Sequence, residues 1–230
     1  MKKLLVAVLL MFASAVWAGD FEDGAAEYKK GNYPVALAKF RLAAAQGNAG
    51  AQYSLGVMFD KGLGVAQDYV EAVRWYRLAA AQGNALAQYN LGFMFSNGQG
   101  VAQDYVESVR WYRLAAAQGD AYAQNNLGNM FSMGQGVAQD YVEAVRWYRL
   151  AAAQGYARAQ FNLGVSFSMG QGVIQDYTRA HMWFNLAAVS GDKEVVRNRD
   201  LAATLMTPQQ IAQAQQLARE CTARNFKKCD

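Results

Sequence analysis

The chain has 230 residues, 53% of them hydrophobic, with only two prolines and 21 glycines. That is enough apolar material for one sizeable core, or for a string of small units that share one. Its formal net charge is +4, of which Lys2 and Lys3 contribute two, a bias too weak for the broad basic surface that nucleic acid or an anionic membrane selects.

The first residues, MKKLLVAVLLMFASAVWA, read as a secretory leader spanning 1–18. Lys2 and Lys3 form the positive end, Leu4 to Val16 the apolar stretch, and Val16-Trp17-Ala18 the small-residue cleavage site. An uncleaved anchor is the competing reading. It is disfavoured because the apolar stretch falls short of the roughly 20 residues a span needs. The expectation is a mature chain without stable membrane insertion, periplasmic or secreted.

From about Gly31 the chain begins to repeat itself. GNYPVALAKFRLAAAQG (31–47) predicts a helix with Asn32 as cap and Pro34 in its first turn, inside an N-terminal capping unit assigned to 19–50. Four units of 36 residues follow, 51–86, 87–122, 123–158 and 159–194. Each opens on Ala-Gln, places Leu-Gly at its fifth and sixth positions, and turns through a Gly-x-Gly-Val loop before a second apolar stretch. A period of this size signals stacked supersecondary units.

Within one unit the residues predict two helices. The first runs from about Ala51 to Lys61, with Leu55, Met58 and Phe59 at helical spacing. Gly56 lies inside it at a cost of about 1 kcal/mol relative to alanine, so its recurrence points to a closely approaching neighbour. Gly62 and Gly64 turn the chain, and Asp68 with Glu71 predicts a capping box for the second helix. The pair returns as Asp104/Glu107 and Asp140/Glu143, and the fourth unit has Asp176 with Arg179. After Glu194 the pattern breaks into a C-terminal cap over 195–230. Thr207-Pro208-Gln209-Gln210 opens its last helix.

Cys221 and Cys229 lie in the last ten residues. An oxidising compartment makes a disulfide the natural reading, and the chain must then fold back around Asn225. Unpaired thiols, or pairing with another chain, are the rivals. A metal site is not expected with two thiols and one distant histidine, His181, nor is any cofactor.

The pattern A-x-x-x-L-G, G-x-G-V-x-x-D, A-x-x-W and A-A-x-x-G resembles the Sel-one-like repeat, a relative of the tetratricopeptide repeat, over roughly residues 21–194. The resemblance implies an all-α fold, a right-handed α/α superhelical solenoid of helix-turn-helix hairpins whose first helices line a concave surface. It also implies an adaptor or scaffold role.

Units two and three differ at only six of 36 positions. Four of the changes, at Tyr122, Asn125, Asn129 and Met133, share one stripe of the first helix. Aligned with the family pattern, the stripes fall on the concave face and nominate partner-binding residues. These are Tyr53 and Val57; Leu86, Tyr89 and Phe93; Tyr122, Asn125 and Asn129; and Arg158, Phe161 and Val165. Two readings of the aromatics stand: exposed for a partner, or packed between neighbouring first helices. Asn90, Asn126 and Asn162 form a further column, suited either to a peptide backbone or to tying helices together.

No catalytic constellation is present. His181 replaces Val73, Val109 and Val145, a packed repeat position, and the Gly-x-Gly loops lack the longer phosphate-binding fingerprint. The β-lactam binding or hydrolysis linked to cysteine-rich relatives is not carried over, because their disulfide in each repeat is missing here. The expected function is an exported, non-enzymatic interaction scaffold that holds a protein or peptide of the cell envelope or extracellular space. A modulator of a cell-wall enzyme, or a host-directed secreted effector, is the alternative, and a β-lactam-binding or hydrolytic protein stands behind both.

Overall fold

The structure, a computed structural model, describes residues 19–229, so the leader expected at 1–18 lies outside it. The described residues are helical and fall into two compact units, one ending at Asp104 and the other beginning at Tyr105. The first holds α1 (19–29), α2 (Tyr33–Ala45), α3 (Ala49–Lys61), α4 (Tyr69–Ala81) and α5 (Ala85–Asn97). The second holds α6 (Tyr105–Ala117), α7 (Ala121–Met133), α8 (Tyr141–Ala152), α9 (Ala157–Met169) and α10 (Tyr177–Ala187). A 3-10 turn, Ala188–Ser190, then leads to α11 (Lys193–Ala203) and α12 (Pro208–Ala223). Within each unit consecutive helices pack as hairpins, the all-α solenoid arrangement.

The helix starts show how the repeat is written. Asn48, Asn84 and Asp120 cap α3, α5 and α7, each side chain accepting from the N–H of Ala51, Ala87 or Ala123 at 2.7–2.9 Å. These caps set the first helices two residues earlier than the Ala-Gln frame suggested. In the fourth repeat Tyr156 takes that place and offers no side-chain cap. Asp68, Asp140 and Asp176 cap the second helices as expected.

The expected capping boxes at these aspartates do not close. The Asp68 N–H donates to the Phe59 carbonyl and the Asp140 N–H to that of Phe131, at 3.0 and 2.9 Å. No donor remains for the glutamate, and Glu71 and Glu143 turn to Arg74 and Arg146 instead. Asn32 likewise departs from its expected cap role, its amide donating to Glu27 at 2.8 Å. The box at Thr207 forms in full, with Gln210 accepting from the Thr207 N–H at 2.8 Å.

The helical glycines are there for close approach. A Cβ on Gly56 or Gly128 would stand 2.5 Å from the ring of Tyr76 or Tyr148. The second loop glycine serves differently: Gly136 combines a left-handed φ of 70° with a seat on the Tyr105 carbonyl.

At the C-terminus Cys221 and Cys229 are joined by a disulfide. The chain reverses through Asn225, Phe226 and Lys228, all with positive φ. Phe226 seats its ring against Gly155, in the turn between α8 and α9.

Candidate interaction surface

The sequence-predicted stripe separates into covered and uncovered parts. In the first unit α3 and α5 lie against each other and present it together. Leu86 and Phe93 are 48% and 43% exposed, while Tyr53, Val57 and Tyr89 are half-buried. Tyr53 rests on Tyr76 with ring centroids 5.9 Å apart. Beside it α1, α2 and α3 enclose an apolar cleft of about 240 Å³, lined by Ala25, Tyr28, Phe40, Tyr53 and Val57, with Lys29 among its lining residues. Apolar area left uncovered next to a concavity is the usual form of a side-chain binding site.

In the second unit most of the stripe is consumed by the fold. Tyr122 is 53% exposed, its ring edge-on to Tyr156 at 4.9 Å, and Arg158 is exposed with its guanidinium 5.8 Å from the Phe161 ring. Val165 is half-buried. Phe161 is buried against Phe184, and Asn125 is buried too, so neither can face a partner. Asn129 is half-buried and accepts the Tyr148 hydroxyl at 2.8 Å.

The amide column explains where those residues went. Asn162 Nδ2 donates to Asn125 Oδ1 at 2.9 Å and to Asn129 Oδ1 at 3.2 Å. Asn125 in turn donates to Asn126 Oδ1, and Asn126 to the Tyr112 hydroxyl at 3.2 Å. A chain of bonds thus runs from Tyr112 through four asparagines to Tyr148, whose hydroxyl is held in its neutral form by burial. Asn126 donates and accepts within this chain and Asn162 Nδ2 donates to two asparagines, bonds that tie helices together. Asn90 holds the equivalent half-buried place on α5.

One recurring polar column had no role in the sequence reading. Gln52, Gln88, Gln124 and Gln160 are buried, each donating to the carbonyl of an alanine eight residues earlier, Ala44, Ala80, Ala116 or Ala152. Gln82 and Gln154 add a second bond, to Gln52 and Gln124. The signal was present, since every unit opens on Ala-Gln. Each glutamine adds a second hydrogen bond to a carbonyl of the last helical turn, which also accepts from the glycine N–H three residues further on.

Arg74, Arg110 and Arg146 each pair with the glutamate one turn earlier at 3.0–3.2 Å. His181 is buried, its Nδ1 without a hydrogen-bond partner and its pKa lowered by that burial and by Arg199. Among the described residues no cluster of His, Cys, Asp and Glu could hold a metal ion, and no helix is long and apolar enough to cross a membrane.

Helical hairpins of fixed length, packed in sequence and bonded through recurring side chains, define an α-solenoid repeat protein. The Sel1 repeat matches residues 49–84, 85–120, 121–156 and 157–192, and the chain belongs to the Sel1 repeat family. Members of this family are generally protein–protein interaction scaffolds and typically non-catalytic. Among solved structures the chain is similar to a Sel1 repeat protein from Oxalobacter formigenes. Identity is 39% and the TM-score 0.71, over 76% of this chain and 72% of that one. It is also similar to c5321, a protective antigen with an SLR fold from uropathogenic Escherichia coli, at 29% identity and a TM-score of 0.60. That match covers 93% of this chain and 54% of the antigen. Among curated proteins nothing matches the chain significantly.

Proposed function

We propose that this protein is an exported, non-enzymatic scaffold that holds a protein or peptide of the cell envelope or its surroundings on the first-helix stripe of its N-terminal unit, the concave face in the family's geometry. The observation that carries this reading is the uncovered apolar pair Leu86 and Phe93 on α5, beside the α3 residues Tyr53 and Val57 that line the cleft. Exposed leucine and phenylalanine at matching faces of a repeat array serve no packing need and supply the apolar centre that protein interfaces require. The corresponding positions of the second unit carry Tyr122 and Asn129, so the capacity is concentrated in the first.

Export rests on the leader and on the C-terminal disulfide, which persists in an oxidising compartment. A regulator or adaptor in the bacterial cell envelope fits both.

The test is a photo-crosslinking residue at Phe93 in living cells, compared with the same residue at the solvent-exposed Lys193. A discrete adduct at Phe93 alone, abolished by Leu86→Ser, supports the reading. Both residues are nearly half exposed, so Phe93→Ser and Leu86→Ser shift the melting temperature by less than about 3 °C. Unfolding of both variants would assign the pair to the core and remove the site.

A further inference from the structure

A second surface lies on the opposite helices of the repeats, and the chain itself shows what covers it. The second helices carry one row at a period of 36 residues: Val70, Arg74, Arg77 and Leu78 on α4, then Val106, Arg110, Arg113 and Leu114 on α6, then Val142, Arg146, Arg149 and Leu150 on α8. Their apolar members are open to solvent, the valines 64–67% exposed and the leucines 42–44%. On α10 the same row reads Thr178, Met182, Asn185 and Leu186, and there it is closed, with Met182 fully buried and Leu186 nearly so.

The cover is α12. It packs on α10 and contributes Ala214, Ala218 and Cys221 to the same buried cluster as Met182 and Leu186. Thr178 lies beside its Leu217 on one flank, and Asn185 and Leu186 beside its Ala218 on the other. Ala214, Leu217, Ala218 and Cys221 are spaced i, i+3, i+4 and i+7, a narrow stripe of mostly small residues that lets the helix sit close. This row of a second helix is therefore a helix-binding face, shown occupied once within the molecule.

On α6 the equivalent place is an open groove of about 420 Å³, walled by Val106, Arg110, Arg113 and Leu114 and by Gly136 and Val137 of the next loop. The difference from α10 is charge. Met182 and Asn185, neutral under α12, are arginines on α4, α6 and α8. Glu107 pairs with Arg110 at 3.2 Å, whereas Arg113 has the Phe131 ring as its neighbour, 5.7 Å away, and is the surplus cation of the groove.

The geometry points to a docking groove on α6, repeated on α4 and α8, for an amphipathic helix of a partner protein, seated as α12 is on α10. Such a helix carries alanine and leucine along its contact stripe and carboxylates on the flank that meets Arg77, Arg113 or Arg149. The partner's acidity is what distinguishes it from α12, which carries Arg219 and is followed directly by Arg224. This groove is built from second helices, whereas the stripe is carried by first helices.

The test uses the disulfide-bonded protein and two labelled peptides of residues 207–224 with Cys221→Ala. One keeps Arg219 and Arg224, and the other has both replaced by glutamate. The acidic peptide is expected to bind saturably, with a gain of helical signal, and at least about ten-fold tighter than the basic one. Leu78→Asp/Leu114→Asp/Leu150→Asp, at exposed positions whose folding is checked by melting, abolishes that binding. Arg77→Glu/Arg113→Glu/Arg149→Glu reverses the order of the two peptides, and Phe93→Ser changes nothing, which separates this groove from the proposed stripe. Binding unaffected by the leucine variant, or no saturable binding of either peptide, overturns the inference. So does arginine-dependent sedimentation with phosphatidylglycerol vesicles in place of peptide binding, which would make the row a lipid contact.

Discussion

Gly128 is held in place by the Tyr148 ring, since a methyl group there would lie 2.5 Å from it. Gly128→Ala gains helix propensity of about 1 kcal/mol and loses more to overpacking, so a net destabilisation of about 1–2 kcal/mol is expected in urea unfolding. The tyrosine cannot retreat freely, because its hydroxyl is bonded to Asn129 and Ser132. His181 sets a different dependence. Burial lowers its folded-state pKa, so the unfolded chain binds the proton more readily, and stability falls as pH drops below about 6.5. The slope is at most about 1.4 kcal/mol per pH unit, and it flattens once the folded-state pKa is passed. His181→Val, which restores the residue of the other repeats, is expected to abolish that slope in melts taken between pH 7 and pH 5.

At the scale of the element, α12 is held by its capping box, by its apolar stripe and by the clasp beyond it. The loop closed by Cys221 and Cys229 spans eight residues in sequence, for which chain entropy gives about 2–3 kcal/mol. Cys221→Ser/Cys229→Ser is expected to lower the melting temperature and to speed amide exchange in α12 and the loop after it, more than in α6 or α7. Uniform exchange throughout the second unit would deny the helix a separate role. The caps of the first helices differ among themselves in a measurable way. Asn84→Ala removes the acceptor of the Ala87 N–H and costs about 1 kcal/mol. Tyr156→Ala costs no cap, because none exists there, and any loss reports its packing against Tyr122 and the apolar cluster of the second unit.

At the scale of the molecule the period has a consequence of its own. Deleting 121–156 joins Asp120 to Ala157 in frame, and the new neighbours regenerate the glutamine bond, the Leu-Gly packing and the loop glycines from equivalent residues. The shortened chain is expected to keep its helical signal per residue and a cooperative melt. The loss is the amide chain between Tyr112 and Tyr148, which draws on the deleted hairpin. A molten product would mean that these bonds, and not the repeat frame, specify the second unit.

The period, the hairpins and the glycine positions were legible in the sequence because they depend on neighbours a few residues away or one repeat away. Helical spacing marks the apolar face, and a glycine that recurs where it costs stability implies a ring against it. The membership of the interaction surface was legible only in part. Leu86 and Phe93 are exposed as a stripe reading allows, yet Phe161, one repeat-equivalent of Tyr89, is buried. Asn125 and Asn129 fall on the partner-facing stripe by spacing, and instead spend their polar groups on Asn126, Asn162 and Tyr148. Equivalent positions have different surroundings because exposure depends on the helix across the hairpin. The same limit hid the open row of the second helices, since identical letters on α4, α6 and α8 cannot say which of them a later helix covers. The repeated residues by themselves determined hairpins of one length and a shared pattern of caps, turns and close contacts, because those forces act locally. Only the packed chain decided which apolar faces close and which stay open, because burial is settled by what arrives from elsewhere in the sequence.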